Sequence, residues 1–120
     1  MVTLVFSIRS VFFPMTDKIV VITTCAGEEE SDRIARTLVE LRVAACVSVI
    51  PGVRSHYRWQ GTVESAQEFM LLAKTTRDKF DEFRAALEKL HSYEVPEILA
   101  LPVVDGAPNY LSWLEGSLKA

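Results

Sequence analysis

The chain has 120 residues, 49% of them hydrophobic, enough for one core and too few for two ordinary domains. A net charge of −3 without a Lys/Arg block lacks the basic footprint that a phosphate backbone demands, which excludes nucleic acid as a partner. Two cysteines, Cys25 and Cys46, stand outside any CxxC pair, so a reducing cytoplasm is the expected compartment, and no run reaches the ~20 apolar residues of a membrane span.

Residues 1–14 are apolar, broken by Arg9, and Met15 directly precedes the polar Thr16-Asp17-Lys18. Segment 1–15 reads as an extension from an upstream start or an appended piece, because a secretory signal would need a basic beginning, a longer apolar centre and a small-residue cleavage site. The domain proper is expected over 16–120.

Ile19-Val20-Val21-Ile22 is a β-branched run of strand length, ended by the small residues Thr23 to Gly27. From Glu28 to Arg42, Ile34, Leu38 and Leu41 recur at helical spacing, and four acids crowd the first turns, where the helix dipole favours them. Ala45–Ile50 predicts a second strand, Pro51-Gly52 a kink within it, and Val53, Ser55, Tyr57 and Trp59 then alternate with Arg54, His56 and Arg58. Gln60-Gly61 predicts a hairpin turn and Thr62–Thr75 the returning strand.

Thr76 is placed to cap a second helix with the apolar face Phe80, Phe83, Leu87 and Leu90. Ile98–Val104 is the last expected strand, with Pro102 marking an edge or a bulge, and Asn109–Leu118 a short terminal helix. The order β-α-β-β-α-β plus a short helix predicts an α+β, ferredoxin-like βαββαβ sandwich with a long β-hairpin, its sheet ordered fourth, first, third, second strand.

Two features predict self-association. Ile19–Ile22 and Phe69–Ala73 are apolar on both faces of a sheet whose helices cover one face only, so a second copy is the simplest cover. Ala45–Trp59, extended at about 3.3 Å per residue, would reach roughly 50 Å, beyond the roughly 35 Å diameter of such a domain, so the hairpin must overhang and seek a neighbour. A cyclic homo-oligomer joined through the hairpin arms follows.

The topology gathers Thr23–Gly27, the hairpin overhang and the connector His91-Ser92-Tyr93-Glu94-Val95-Pro96-Glu97 at one end. His91 either interacts with the last carbonyls of its helix or ligates a transition metal, copper above all, supported by Cys25, Glu94 and Glu97. Cys25 is either a thiol activated by the following helix N-terminus or a small residue filling a strand end. His56 is expected to be a solvated partner of Glu64 or Glu68. Glu94 and Glu97 lack any readable nucleophile beside them, and satisfying loop amides is the expected role. With no GxSxG, P-loop or GxGxxG, no enzyme activity is expected.

Five ordered blocks carry a family resemblance: Ala44-Ala45-Cys46-Val47, Ile50 through Gly61, Leu72-Ala73-Lys74-Thr75, His91 through Ile98, and Tyr110-Leu111-Ser112-Trp113-Leu114. The chain resembles the CutA divalent-cation tolerance proteins. The resemblance implies a ferredoxin-like homotrimer, an architecture similar to the PII signalling proteins, and a role in tolerance of copper or another divalent cation. It departs from the family pattern at Ser92 and Gly27, where prolines are usual, and at Thr24 and Leu90, which align with a cysteine and a histidine of members proposed to bind copper. Only His91 of that ligand set carries over.

The expected metal set is therefore His91, Cys25, Glu94 and Glu97; the expected ligand pocket Tyr93, Trp59, Tyr57 and Thr24; the expected trimer interface Val53, Tyr57, Trp59 and Trp113. The expected partners are further copies of the chain and a metal ion or small molecule. The expected function is a homotrimeric metal-responsive protein. A PII-like sensor of a metabolite or nucleotide in the intersubunit cleft is the alternative.

Overall fold

A computed structural model describes residues 16–120; the segment 1–15, read as an extension, lies outside the described residues. The elements are β1 (Lys18–Cys25), α1 (Glu28–Glu40), β2 (Cys46–Trp59), β3 (Thr62–Thr76), α2 (Phe80–Leu90), β4 (Leu99–Pro102) and α3 (Pro108–Ser117), with a 3-10 turn at Arg77–Lys79 before α2. The sheet runs β2-β3-β1-β4, antiparallel throughout. This is the α+β ferredoxin-like order expected from the sequence.

Alternation along the strands divides the sheet into two faces. Ile19, Val21, Thr23 and Cys25 of β1 pair with Thr75, Ala73, Leu71 and Phe69 of β3 and pack beneath Ile34 and Leu38 of α1 and Phe83 and Leu87 of α2. These side chains form the core. The opposite face carries Val20, Ile22, Met70 and Leu72, flanked by Ile50 from β2 and by Leu99 and Leu101 from β4. Leu99 remains 56% exposed and Leu101 48%. Helix α3 covers only one corner, through Leu114 and Leu118 against Ala45, and Glu115 clamps it to the buried Lys18 at 2.5 Å.

The β2–β3 ribbon runs past the rest of the sheet. The β1–β3 pairing ends at Cys25–Phe69, whereas β2 and β3 stay paired from Val53–Glu68 out to Trp59–Thr62. A register shift between Ile50 and Val53 marks the expected kink, and Gly52 supplies it with φ +75°, a left-handed conformation costly for other residues. At the tip Gln60 (φ +50°) and Gly61 (φ +82°) both turn left-handed, the requirement of a tight type I′ hairpin. The radius of gyration, 16.6 Å, exceeds the ~13 Å of a compact chain this size, as an overhanging arm requires.

Several boundaries differ from expectation. Helix α1 stops at Glu40 rather than Arg42 because Arg42 turns left-handed (φ +60°), while Val43 and Ala44 amides both return to the Leu38 carbonyl. Thr76 does not cap α2: a 3-10 turn intervenes, and its hydroxyl donates to the Asp78 carboxylate instead. Strand β4 is four residues long and among the described residues pairs only with β1, so Pro102 does sit on an edge strand.

Candidate functional site

The end of β1, the root of the arm and the connector after α2 frame a half-open cavity of about 710 Å³. Its walls are Thr24 from β1, Ser55, His56, Tyr57 and Trp59 from β2, Glu68 from β3, and Ser92, Tyr93, Glu94, Val95 and Glu97 from the connector. All four expected pocket residues, Tyr93, Trp59, Tyr57 and Thr24, lie in this lining. So do Glu94 and Glu97.

His91 anchors the connector and is not itself in the lining. Its ring is buried; Nε2–H donates to the Thr24 carbonyl at 2.7 Å, while Nδ1 accepts the Tyr93 amide at 3.0 Å. Those partners require the neutral tautomer protonated at Nε2. With Nε2 protonated and the Nδ1 lone pair engaged, the ring has no lone pair facing a metal, and helix capping is left to the backbone amide, which returns to Leu87. Next to it, the Ser92 amide donates to Glu30 of α1 at 2.8 Å, and the same carboxylate lies 3.9 Å from His91 Nδ1. Burial alone would raise the Glu30 carboxyl; the Ser92 hydrogen bonds and the Ala26 amide outweigh it and bring it below its ordinary value.

Glu68 is 7% exposed. One of its oxygens, Oε2, accepts the Tyr93 hydroxyl at 2.6 Å, and the other accepts no hydrogen bond among the described residues. Burial, followed by this contact with Glu68, holds the Tyr93 phenol above its ordinary range.

The expected metal set does not assemble. Cys25 points from the opposite side of β1 into the core, fully buried, because consecutive strand residues face opposite ways and Thr24 takes the cavity side. The thiol is pushed up to about 11, mainly by burial and then by Glu30 and Glu68, so the helix that begins at Glu28 does not activate it. Among the described residues no three His, Cys, Asp or Glu side chains lie close enough to hold a metal ion. His56 also differs from expectation: Nδ1 pairs with Ser65 Oγ at 2.8 Å across the arm, not with Glu64 or Glu68. Among the described residues Glu94 and Glu97 bind no loop amide; Glu30 has that part.

Of the expected interface residues, Val53, Tyr57 and Trp59 sit along the arm, and the two aromatics remain 43% and 44% exposed. Trp113 lies on α3, half exposed and stacked on Tyr110 with ring centroids 5.5 Å apart.

The family model for CutA1 divalent ion tolerance protein matches residues 19–117. The chain belongs to that family. It is 50% identical over 95 residues to the divalent-cation tolerance protein CutA of Thermus thermophilus, covering 79% of this chain and 92% of that protein. The crystal structure of CutA from Xylella fastidiosa superimposes with a TM-score of 0.85 at 38% identity, over 87% of this chain and all of that one. The CutA structure from Archaeoglobus fulgidus gives a TM-score of 0.83 at 35% identity, over 85% and 99%. The Thermus and Archaeoglobus relatives are named for divalent-cation tolerance, and none of the three names states a catalytic activity.

The expected cytoplasmic compartment is overturned by the same relatives. The Archaeoglobus protein is described as periplasmic, and the Arabidopsis thaliana relative, 37% identical over 101 residues, as chloroplastic. Cysteine usage misled because Cys25 and Cys46 lie on strands that are not neighbours, and both are free. Thiols too far apart to pair carry no record of the redox state around them. Among the described residues no helix is long and apolar enough to cross a membrane.

Proposed function

We propose that the chain acts in divalent-cation tolerance as a homotrimer that binds cations at seams built from the connector and the arm. The observation that carries this reading is the cavity's charge: Glu68, Glu94 and Glu97 line it, and among the described residues no Lys or Arg does. Such a lining attracts cations and repels anions. The imidazole available to an ion is His56 rather than His91, since its Nε2 makes no hydrogen bond among the described residues. Copper(II), which favours imidazole nitrogen over oxygen, would take His56 with a carboxylate, and a second copy would complete the ligand set.

The bare sheet face and the arm support the assembly. Ile22, Leu72, Leu99 and Leu101 form a continuous apolar surface, and among the described residues the arm's outer edges pair with nothing beyond Phe69. Light scattering should return three times the chain mass of 13.5 kDa. Calorimetric titration with Cu(II) and Mn(II) should show binding that His56→Ala weakens for copper at least tenfold and leaves nearly unchanged for manganese. A copper isotherm insensitive to His56→Ala removes that histidine from the site.

A nucleotide, the other expected ligand, would bring phosphates to three carboxylates with no described cation to meet them. The PII-like alternative is therefore not carried further.

A further inference from the structure

The cavity is much larger than a bare ion needs, and its polar groups are spread over its walls instead of converging on one point. A volume of about 710 Å³ lies in the range of roughly 300–1,000 Å³ typical of sites for small organic molecules. Two kinds of surface meet there. Tyr57, Trp59 and Val95 offer apolar and aromatic area, with the Tyr93 ring fixed between His91 and the cavity. Glu68, Glu94 and Glu97 supply negative charge.

Glu68 decides the class of ligand. It is more than nine-tenths buried, and the hydroxyl of Tyr93 satisfies only one of its oxygens. Glu68 lines the cavity, and its second oxygen, which solvent reaches, is open to a donor, best a charged one. Serine hydroxyls and water could serve as neutral donors, but the two further carboxylates on the connector set a field that favours a positive one.

We propose that this cavity binds a small organic cation: a primary ammonium whose N–H groups meet the free oxygen of Glu68, on an apolar body that lies against Tyr57 and Trp59. The ammonium meets Glu68 through charge-assisted hydrogen bonds, and the aromatic side chains offer its body apolar contact area. The inference rests on the cavity being the ligand site, as in the proposed function, but assigns it a molecule in place of a metal ion.

Phenethylammonium is the probe, with 2-phenylethanol and phenylacetate as neutral and anionic matches of nearly equal shape. Calorimetry on the full chain should show phenethylammonium binding at least tenfold tighter than either match, weakening as salt is raised. Glu68→Gln keeps the shape and the acceptor for Tyr93 while removing the charge, and should cost at least tenfold. Should that variant fold poorly, Glu97→Gln, at an exposed connector position, should still cost several-fold. Equal affinity for the three probes, or full affinity in both variants, overturns the proposal. Cu(II) and Mn(II) binding without ammonium binding sinks this inference and leaves the cation-tolerance reading standing; ammonium binding without metal binding does the reverse.

Discussion

The phenol of Tyr93 and the carboxylate of Glu68, 25 residues apart in sequence, meet at 2.6 Å and tie the connector to the root of the arm. Tyr93→Phe would leave a buried carboxylate with neither oxygen satisfied by the chain. The expected cost is about 1–3 kcal/mol, read as a lower urea midpoint at unchanged slope. The pH dependence follows from the raised phenol: its contribution is complete below the ordinary tyrosine value near 10 and is lost as pH climbs toward the higher folded value. Wild type should therefore lose stability above pH 10 more steeply than Tyr93→Phe. Parallel curves would show that the hydroxyl is not held as described.

Cys25 gives a prediction of the opposite kind, an absence of reactivity. Its thiol is fully buried in the core and pushed up to about 11, so at pH 8 almost none of it is thiolate. Cys46, half-buried near the start of β2, is the accessible one. Native protein should release one equivalent of thiol to Ellman's reagent promptly and the second only on unfolding, and Cys46→Ala should abolish the prompt phase. Two prompt equivalents in wild type would contradict the burial of Cys25.

Glu30 links α1 to the connector through the Ser92 amide, and its carboxyl is held below its ordinary value despite burial. A lowered folded value means stability that is present above the unfolded value of about 4.3 and is lost as pH falls through the folded one. Glu30→Gln should remove that acid-side loss. The gap between wild type and variant, measured by urea unfolding at pH 6 and again at pH 3, should shrink at the lower pH. A gap that holds constant would mean that the charge on Glu30 contributes nothing to folding.

These residues also show what the sequence disclosed and what it concealed. Strand order, the Gly52 bulge and the Gln60-Gly61 turn were legible because each rests on local chemistry: a β-branched run, a positive φ, a two-residue hairpin. The connector was legible as a site because polar density between two packed elements is itself a signal. The partners inside that site were not. Glu30 looked like one of several acids in a helix's first turn, and only the fold lays it against Ser92, 62 residues on. Cys25 and Thr24 were interchangeable until the register fixed which of them faces the core; a one-residue shift exchanges their fates. His91 was recognised as important, but its hydrogen bonds to Thr24 and Tyr93, which occupy both ring nitrogens, depend on contacts no spacing rule reveals.

Leu101 tests the assembly most directly because it separates a lone chain from an associated one. In a single copy it lies on the edge strand β4, paired with Val20 and 48% exposed, so replacing it by lysine should change the stability of an isolated subunit by no more than about 0.5 kcal/mol. In a trimer closed over the bare sheet face the same lysine would bury an unpaired charge beside Ile22, Leu72 and Leu99. Leu101→Lys should therefore yield a folded species of one-third the wild-type mass, with far-ultraviolet circular dichroism like that of wild type and new binding of a hydrophobic dye to the uncovered face. Wild-type mass in the variant at micromolar concentration would show that this face is not where the copies meet, and the arm alone would then have to hold them together.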